Sequence, residues 1–364
     1  MNVLYVGLFS SRGAMADDYI CMGNYLSKYC NLYGVIGAFE RDIKLRGAKD
    51  MLQLSFSVKK KSSYFHMGDY QKIASYAKKN CIDAVFFKTP NPVNGIISAM
   101  LYRVPQIYYI HDYKPHSGTS VFYNKLLNIT DHLLKRNCNC VVVASEKLRS
   151  LLIQENSLWK HNDVQVVPLG VLDNLLFQLP SVMYDIDLLF FGRIEHYKGI
   201  DWFLNLINRK RRNLRVTIAG KGDLPDECLK ECMDNTNVTI INRYVEDREL
   251  AELINRSRIV VLPYRNATGT QVIQTAFYYK KCVIASDVGN FSELIDDGIN
   301  GILVKPQDEE AMLSAIDSIM DNPVYADSLG MEAFRKVERD FDNDRIAVKY
   351  VELLNSLVEK VKKR

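Results

Sequence analysis

At 364 residues, 48% hydrophobic and 25% charged, the chain has the composition of a soluble globular protein, with room for two domains of about 150–200 residues. Its net charge of +4 excludes the strongly basic footprint of a nucleic-acid binder, while suiting anionic ligands or an anionic membrane surface. The eight cysteines (Cys21, Cys30, Cys81, Cys138, Cys140, Cys228, Cys232 and Cys282) include no C-x-x-C pair, so neither the usual zinc spacing nor a disulfide ladder is present. Reduced thiols in a cytosolic protein are expected.

The opening MNVLYVGLFSSRG has no basic leader and reads as a first strand, not a signal peptide. No run approaches the ~20 apolar residues of a membrane-spanning helix. Strands are expected at 2–8, 82–87, 106–110, 139–144 and 164–167, with helices at 16–29, 69–79 and 119–136 between them. The strand runs are almost continuously apolar, as in a parallel sheet buried on both faces. The second half repeats the scheme, with strands at 187–191, 214–219, 237–241, 258–262 and 282–285. Alternating βα units in two five-strand sets, separated by the irregular 169–185, predict an α/β protein of two doubly wound, Rossmann-like domains.

Ligands of such sheets bind beyond the carboxyl ends of the strands. That directs attention to Ser10–Met15, Lys88–Asn91, His111–His116, Gly192–Gly199, Gly220–Asp223, Arg243–Asp247 and Pro263–Gln271. Gly192-Arg193-Ile194-Glu195-His196-Tyr197-Lys198-Gly199 combines a glycine turn with two cations, which suits a diphosphate: Arg offers a planar fork and Lys a point charge. The alternative is a pair of solvated cations on a loop. Thr268-Gly269-Thr270-Gln271 precedes a helix and can aim N–H and hydroxyl donors at an anion, although an ordinary N-cap reads the same way.

His111-Asp112, with His116 nearby, follows a strand. Either His111 caps the strand end or it faces a substrate hydroxyl; the spacing to His116 and His132 matches no metal site. Asp185-Ile186-Asp187 leads into a strand rather than following one, and reads as its polar start. There is no G-x-x-x-x-G-K-[ST], G-x-S-x-G or H-E-x-x-H, which excludes an ATP P-loop and those hydrolase motifs.

Taken in order, FFGRIEHYKGIDWFL, LRVTIAGKGD, NVTIINRYVEDRELAELINRSRIVVLPY and CVIASDVGNFSELIDDGINGILVKPQDEEAMLSAI resemble the nucleotide-sugar-binding domain of retaining GT-B glycosyltransferases, the group called glycosyl transferases group 1, or family 4. The resemblance runs from residue 187 to 316. VVPLGV at 166–171 resembles the end of the family's first domain, and FDNDRIAVKYVELL at 341–354 its last helix. The N-terminal half is much less similar. The resemblance implies an N-terminal acceptor-side domain at 1–172, a donor-binding domain at 173–340 and a helix at 341–364 crossing back, with the two domains facing a cleft.

It also implies a nucleoside diphosphate sugar as co-substrate, retention of configuration, and no essential metal or other cofactor. Arg193 and Lys198 match the basic pair that neutralises the donor diphosphate. Gly13 matches the first-domain glycine loop facing the sugar phosphate, Gly192 the turn before the basic pair, and His111 the histidine approaching the donor sugar. Tyr244 and Val245 sit where backbone groups meet the nucleobase, and Thr268, Gly269, Thr270 and Gln271 where the donor is gripped.

One stretch departs from the family. In RNATGTQVIQTAFYYKK the first of two family glutamates falls at Ala267 and the second, a ribose contact, at Thr275. Thr275 or neighbouring Gln274 is left as a weaker, neutral acceptor for the ribose.

Residues 54–65, LSFSVKKKSSYF, are either a solvated loop or a peripheral contact with an anionic leaflet at the inner face of the cell membrane. The expected function is transfer of a sugar to a glycan or lipid-linked glycan acceptor in O-antigen, capsule or similar biosynthesis, with no nucleic-acid partner. The competing readings are a catalytically silent nucleotide-binding or scaffold module and a nucleotide-sugar epimerase of the same architecture. A phosphorylase is disfavoured because no lysine anchor for pyridoxal phosphate is evident.

Overall fold

The apolar runs form strands whose alternate side chains enter different cores. The computed structural model describes residues 1–9, 13–38, 43–55, 66–111, 130, 132–155 and 164–363. The chain divides into two compact units, Met1–Leu169 with Asn343–Arg364, and Gly170–Asp342.

The first unit contains β1 (Asn2–Gly7), β2 (Asn31–Ile36), β3 (Asp50–Gln53), β4 (Ala84–Phe87), β5 (Gln106–Ile110), β6 (Cys140–Val143) and β7 (Val164–Val166). They pair in parallel in the order β3-β2-β1-β4-β5-β6-β7. Leu4, Val6, Val85, Phe87 and Val141 enter one core; Val3, Tyr5, Phe86, Tyr109 and Val142 enter the other. This is the period of two expected of a sheet covered on both faces. Helix α1 (Ala14–Leu26) packs on the second face, and α2 (Met67–Lys79), α3 (Pro92–Met100) and α4 (Glu146–Glu155) on the first.

The second unit has β8 (Ile186–Phe191), β9 (Val216–Ala219), β10 (Val238–Ile241), β11 (Ser257–Leu262), β12 (Cys282–Ser286) and β13 (Ile302–Val304). Its sheet is parallel throughout, in the order β10-β9-β8-β11-β12-β13. The helices are α5 (Ile200–Lys210), α6 (Asp226–Met233), α7 (Asp247–Arg256), α8 (Val272–Tyr278), α9 (Phe291–Leu294), α10 (Glu309–Asp321) and α11 (Pro323–Asp340). The last helix, α12 (Asn343–Lys362), belongs to the first unit, where Ile346, Ala347, Tyr350 and Leu354 complete the core shared with α1.

Each sheet holds more strands than the five per half expected from the sequence. β2 carries Gly34 mid-strand, β3 is a half-exposed edge and β13 spans three residues, so none gives a sustained apolar run. The unit boundaries fall at 169/170 and 342/343 rather than 172/173 and 340/341. Gly170 accepts a hydrogen bond from Gln271 and Val171 enters the second unit's core, while Asn343 donates to Cys21 Sγ in the first unit.

Strand order reverses between β1 and β4 and again between β8 and β11. Loops leaving those strands therefore stand at the switch points where doubly wound sheets bind ligands. Asp112, His116, residues 56–65 and most of the helix expected at 119–136 lie outside the described residues. Among the described residues no helix is long and apolar enough to cross a membrane.

Candidate functional site

In the second unit the loops after β8 and β11 meet at the switch point. β8 is buried along its whole length and ends at Gly192, whose φ of +114° turns the chain out of the sheet. The loop then runs beside the one that follows β9: Ile194 N–H donates to the Lys221 carbonyl at 3.0 Å and Gly192 N–H to that of Ala219 at 3.0 Å. A 3-10 turn at His196–Lys198 and the left-handed Gly199 (φ +69°) deliver the chain into α5. A β-carbon on Gly199 would stand 2.1 Å from the Pro263 carbonyl oxygen, so only glycine lets the two loops approach this closely.

A cross-loop clamp holds this arrangement. Arg265 N–H donates to the Tyr197 carbonyl at 2.8 Å, and its guanidinium donates to the His196 carbonyl at 2.7 Å and to both Asp201 oxygens at 2.7 and 3.0 Å. Burial would raise the Asp201 carboxyl, but the Arg265 hydrogen bonds hold it below its ordinary value. The fork geometry explains why arginine stands here. The sequence gives no local signal for this pair, because Asp201 and Arg265 follow different strands and meet only in the fold.

The clamped turn carries Lys198, which is only 7% exposed. Its ammonium lies 5.4–5.9 Å from the ring centroids of Tyr264, Phe190 and Tyr197. Among the described residues no ion pair or hydrogen bond engages it. Burial and the neighbouring Arg193 charge push its pKa down to about 8, against a smaller pull from Glu195. Arg193 is open to solvent, its side chain 69% accessible, and rests against Glu195 at 3.3 Å. One cation is thus stripped of water and the other stands in solvent beside Glu195.

Across the switch point Tyr264 is fully buried against Tyr197 and Phe291. Thr268, Thr270 and Gln271 are half-buried and Gly269 is exposed. Thr270 Oγ1 accepts from Val272 N–H at 3.1 Å, so this hydroxyl closes the first turn of α8. Thr275 is buried, and its hydroxyl donates to the Gln271 carbonyl at 2.9 Å. The ribose role expected of Thr275 has no accessible hydroxyl behind it in this conformation. Gln274, its alternative, is buried, and its Oε1 accepts no hydrogen bond among the described residues. Local sequence did not betray this inward turn, because burial depends on how α8 packs.

Beyond β10, Tyr244 is exposed and Val245 buried. Asn242 brackets Gly222, donating to its carbonyl at 2.9 Å and accepting from its N–H at 3.1 Å. Arg243 pairs with both oxygens of Glu249 at 2.8 and 2.6 Å. The Tyr244 carbonyl accepts from Arg243 at 3.3 Å, and the Tyr244 side chain is exposed on this rim. The carboxylates of Asp185-Ile186-Asp187 are taken by Arg256 and Arg215 respectively, as a polar strand start requires. Among the described residues no three His, Cys, Asp or Glu are grouped to hold a metal ion.

The first unit has its own polar cluster at the ends of β1, β4 and β5. Gly13 (φ +147°) precedes α1, and among the described residues nothing lies within 4 Å of where a β-carbon would stand. His111 Nε2 is 2.9 Å from the Lys88 carbonyl oxygen, and its ring packs edge-on to Tyr109. A carbonyl only accepts, so Nε2 carries a proton and donates it to the Lys88 carbonyl. Lys88 itself is buried, with Nζ 2.7 Å from Asp18 Oδ2 and 4.0 Å from the Tyr109 ring centroid. This ion pair also escaped the sequence reading; its signal was a lysine directly after the apolar AVFF of β4.

Residues 185–322 match the family profile described as Glycosyl transferases group 1. A glycogen synthase of Mycobacterium tuberculosis (strain CDC 1551 / Oshkosh) is 26% identical over 166 residues, which is 44% of this chain but only 40% of that relative's length. O-antigen chain mannosyltransferase C of Escherichia coli is 24% identical over 270 residues, covering 68% of this chain and 71% of the relative. Among solved structures, Anabaena Alr3699/HepE in complex with UDP-glucose aligns with a TM-score of 0.76 at 17% identity, over 98% of this chain and 100% of that one. At that identity the likeness speaks to the fold.

Proposed function

We propose that the protein is a retaining, metal-independent glycosyltransferase using a nucleoside diphosphate sugar, a reading supported by the match of residues 185–322 to the glycosyl transferases group 1 profile and by the GT-B fold. The observation that carries this reading is Lys198, a desolvated ammonium that no ion pair or hydrogen bond engages among the described residues, placed where the sheet order reverses. A buried cation of this kind is stabilised by an anion arriving from outside the chain. The diphosphate of a donor supplies it, with Arg193 leaving Glu195 to grip the outer oxygens.

As the bond between the sugar carbon and the phosphate oxygen breaks, negative charge collects on the departing diphosphate. A cation already stripped of water stabilises that charge without waiting for solvent to reorganise. Gly192 and the Thr268–Gln271 turn complete the phosphate grip, and the backbone at Tyr244 and Val245 faces the nucleobase. In the first unit, Gly13 is assigned to the sugar phosphate and His111 to the donor sugar, as the family resemblance implies. The acceptor is proposed to be a hydroxyl of a surface glycan such as an O-antigen, by likeness to the mannosyltransferase relative, and the 54–65 stretch a peripheral membrane contact.

The direct test is a screen of UDP-, GDP- and dTDP-sugars with candidate glycan acceptors, reading nucleoside diphosphate release. Arg193→Ala should lower transfer by about 10–100-fold, as expected for a charge-assisted contact. Full activity in that variant would remove the assigned phosphate site. The absence of a carboxylate at Ala267 and Thr275 favours a second reading, a domain that binds nucleotide without turnover. Nucleotide binding without acceptor-dependent release would favour it.

A further inference from the structure

The loops after β11 and β12 lie backbone against backbone. Gly289 adopts φ +55°, and a β-carbon there would stand 2.5 Å from the Ala267 carbonyl oxygen. The next residue, Asn290, sits directly behind Gly269. A β-carbon on Gly269 would be 3.2 Å from Asn290 Oδ1 and 3.5 Å from Nδ2. Because residue 269 is an exposed glycine, no side chain screens the amide on that side.

Asn290 is 5% exposed, and its Oδ1 is sealed from solvent with no hydrogen-bond donor among the described residues. Its Nδ2 makes no hydrogen bond among the described residues either. Native folds rarely keep a buried amide unsatisfied without a use for it. Gln274 Oε1 on α8 and Ser286 Oγ at the end of β12 are in the same condition. Three unsatisfied polar side chains thus fall on the elements flanking the turn in which the first of the two family glutamates is replaced by Ala267.

We propose that Asn290 is a donor-binding residue whose amide, reached past Gly269, hydrogen-bonds a hydroxyl of the transferred sugar. The inference rests on the nucleotide-sugar reading of this domain. The chemistry selects the sugar over the diphosphate. A hydroxyl both donates and accepts, so it satisfies either end of the amide, and a half-turn of the terminal torsion exchanges those ends. A phosphate at neutral pH only accepts, and it already has Lys198 and Arg193.

The test is calorimetry on the full chain with UDP, GDP and dTDP, their hexose donors and the monodeoxy analogues of those donors. For the nucleotide that wild type binds, Asn290→Ala should weaken the nucleotide sugar about tenfold, the worth of one such hydrogen bond. Affinity for the free nucleoside diphosphate should stay within about twofold on the same scale, and the melting temperature should not fall. One deoxy donor should bind wild type and variant equally, marking the contacted hydroxyl. Equal weakening of nucleotide and nucleotide sugar, no weakening of either, or the same penalty for every deoxy donor would each overturn the assignment. A wild type that binds no nucleotide at all would remove the reading beneath it, a different and recognisable failure.

Discussion

Holding the Lys198 ammonium out of water works against the fold. Its pKa of about 8 lies below the 10.5 of a free lysine, so the folded state disfavours the charged form. Between those values the unfolded chain holds a proton that the folded chain releases, and stability therefore rises with pH across that window. The penalty at neutral pH is on the order of 3 kcal/mol. Lys198→Met, which keeps most of the volume and drops the charge, should unfold at higher urea concentration at pH 7, with the gap to wild type closing towards pH 10. The same variant should lose donor affinity, the exchange of activity for stability expected when a charge is kept for function. Donor binding should pull the lysine back to its charged form, so titrations above pH 8 should show proton uptake that Lys198→Met lacks. A Lys198→Met protein no more stable than wild type at pH 7 would show that the lysine is not desolvated in solution.

At the scale of elements, the site depends on two loops held together by Arg265. Removing Asp201 leaves that guanidinium half-buried and unpaired, so Asp201→Ala should cost about 1–3 kcal/mol in urea unfolding and raise the donor KM. Since both partners are partly exposed, the loss should stay below that of a sealed ion pair. An unchanged KM would show that the clamp does not position Lys198. The strands bearing these loops were legible in the sequence because β8 and β11 are unbroken apolar runs, and the Arg193–Lys198 spacing could be read beside them. The burial of Lys198 was not legible, since it requires Tyr264 from a distant strand end. For the same reason Thr275 read as an available hydroxyl, whereas helix packing turns it inward. Asn290 gave no signal in a loop of small polar residues; only its missing hydrogen bond in three dimensions marks it.

For the whole molecule, two α/β units were legible in the alternation of strands and helices, but the first unit closes only with residues from the far end of the chain. Ile346, Ala347, Tyr350 and Leu354 of α12 are fully buried against it. At about 1.5–3 kcal/mol for each large apolar side chain, their loss approaches the entire stability of an ordinary domain. Truncation after Asp342 should therefore abolish cooperative unfolding of the first unit while the α/β unit at 170–342 keeps its own transition; two intact transitions would contradict this. The central claim, that Lys198 receives the diphosphate of a sugar donor, is tested most directly by comparing kcat/KM for acceptor-dependent nucleoside diphosphate release in wild type and Lys198→Met. The predicted result is turnover of one donor class by wild type and a loss of at least about 100-fold in the variant, some 3 kcal/mol of transition-state stabilisation. Equal rates in the two proteins, or no donor consumed by either, would contradict it.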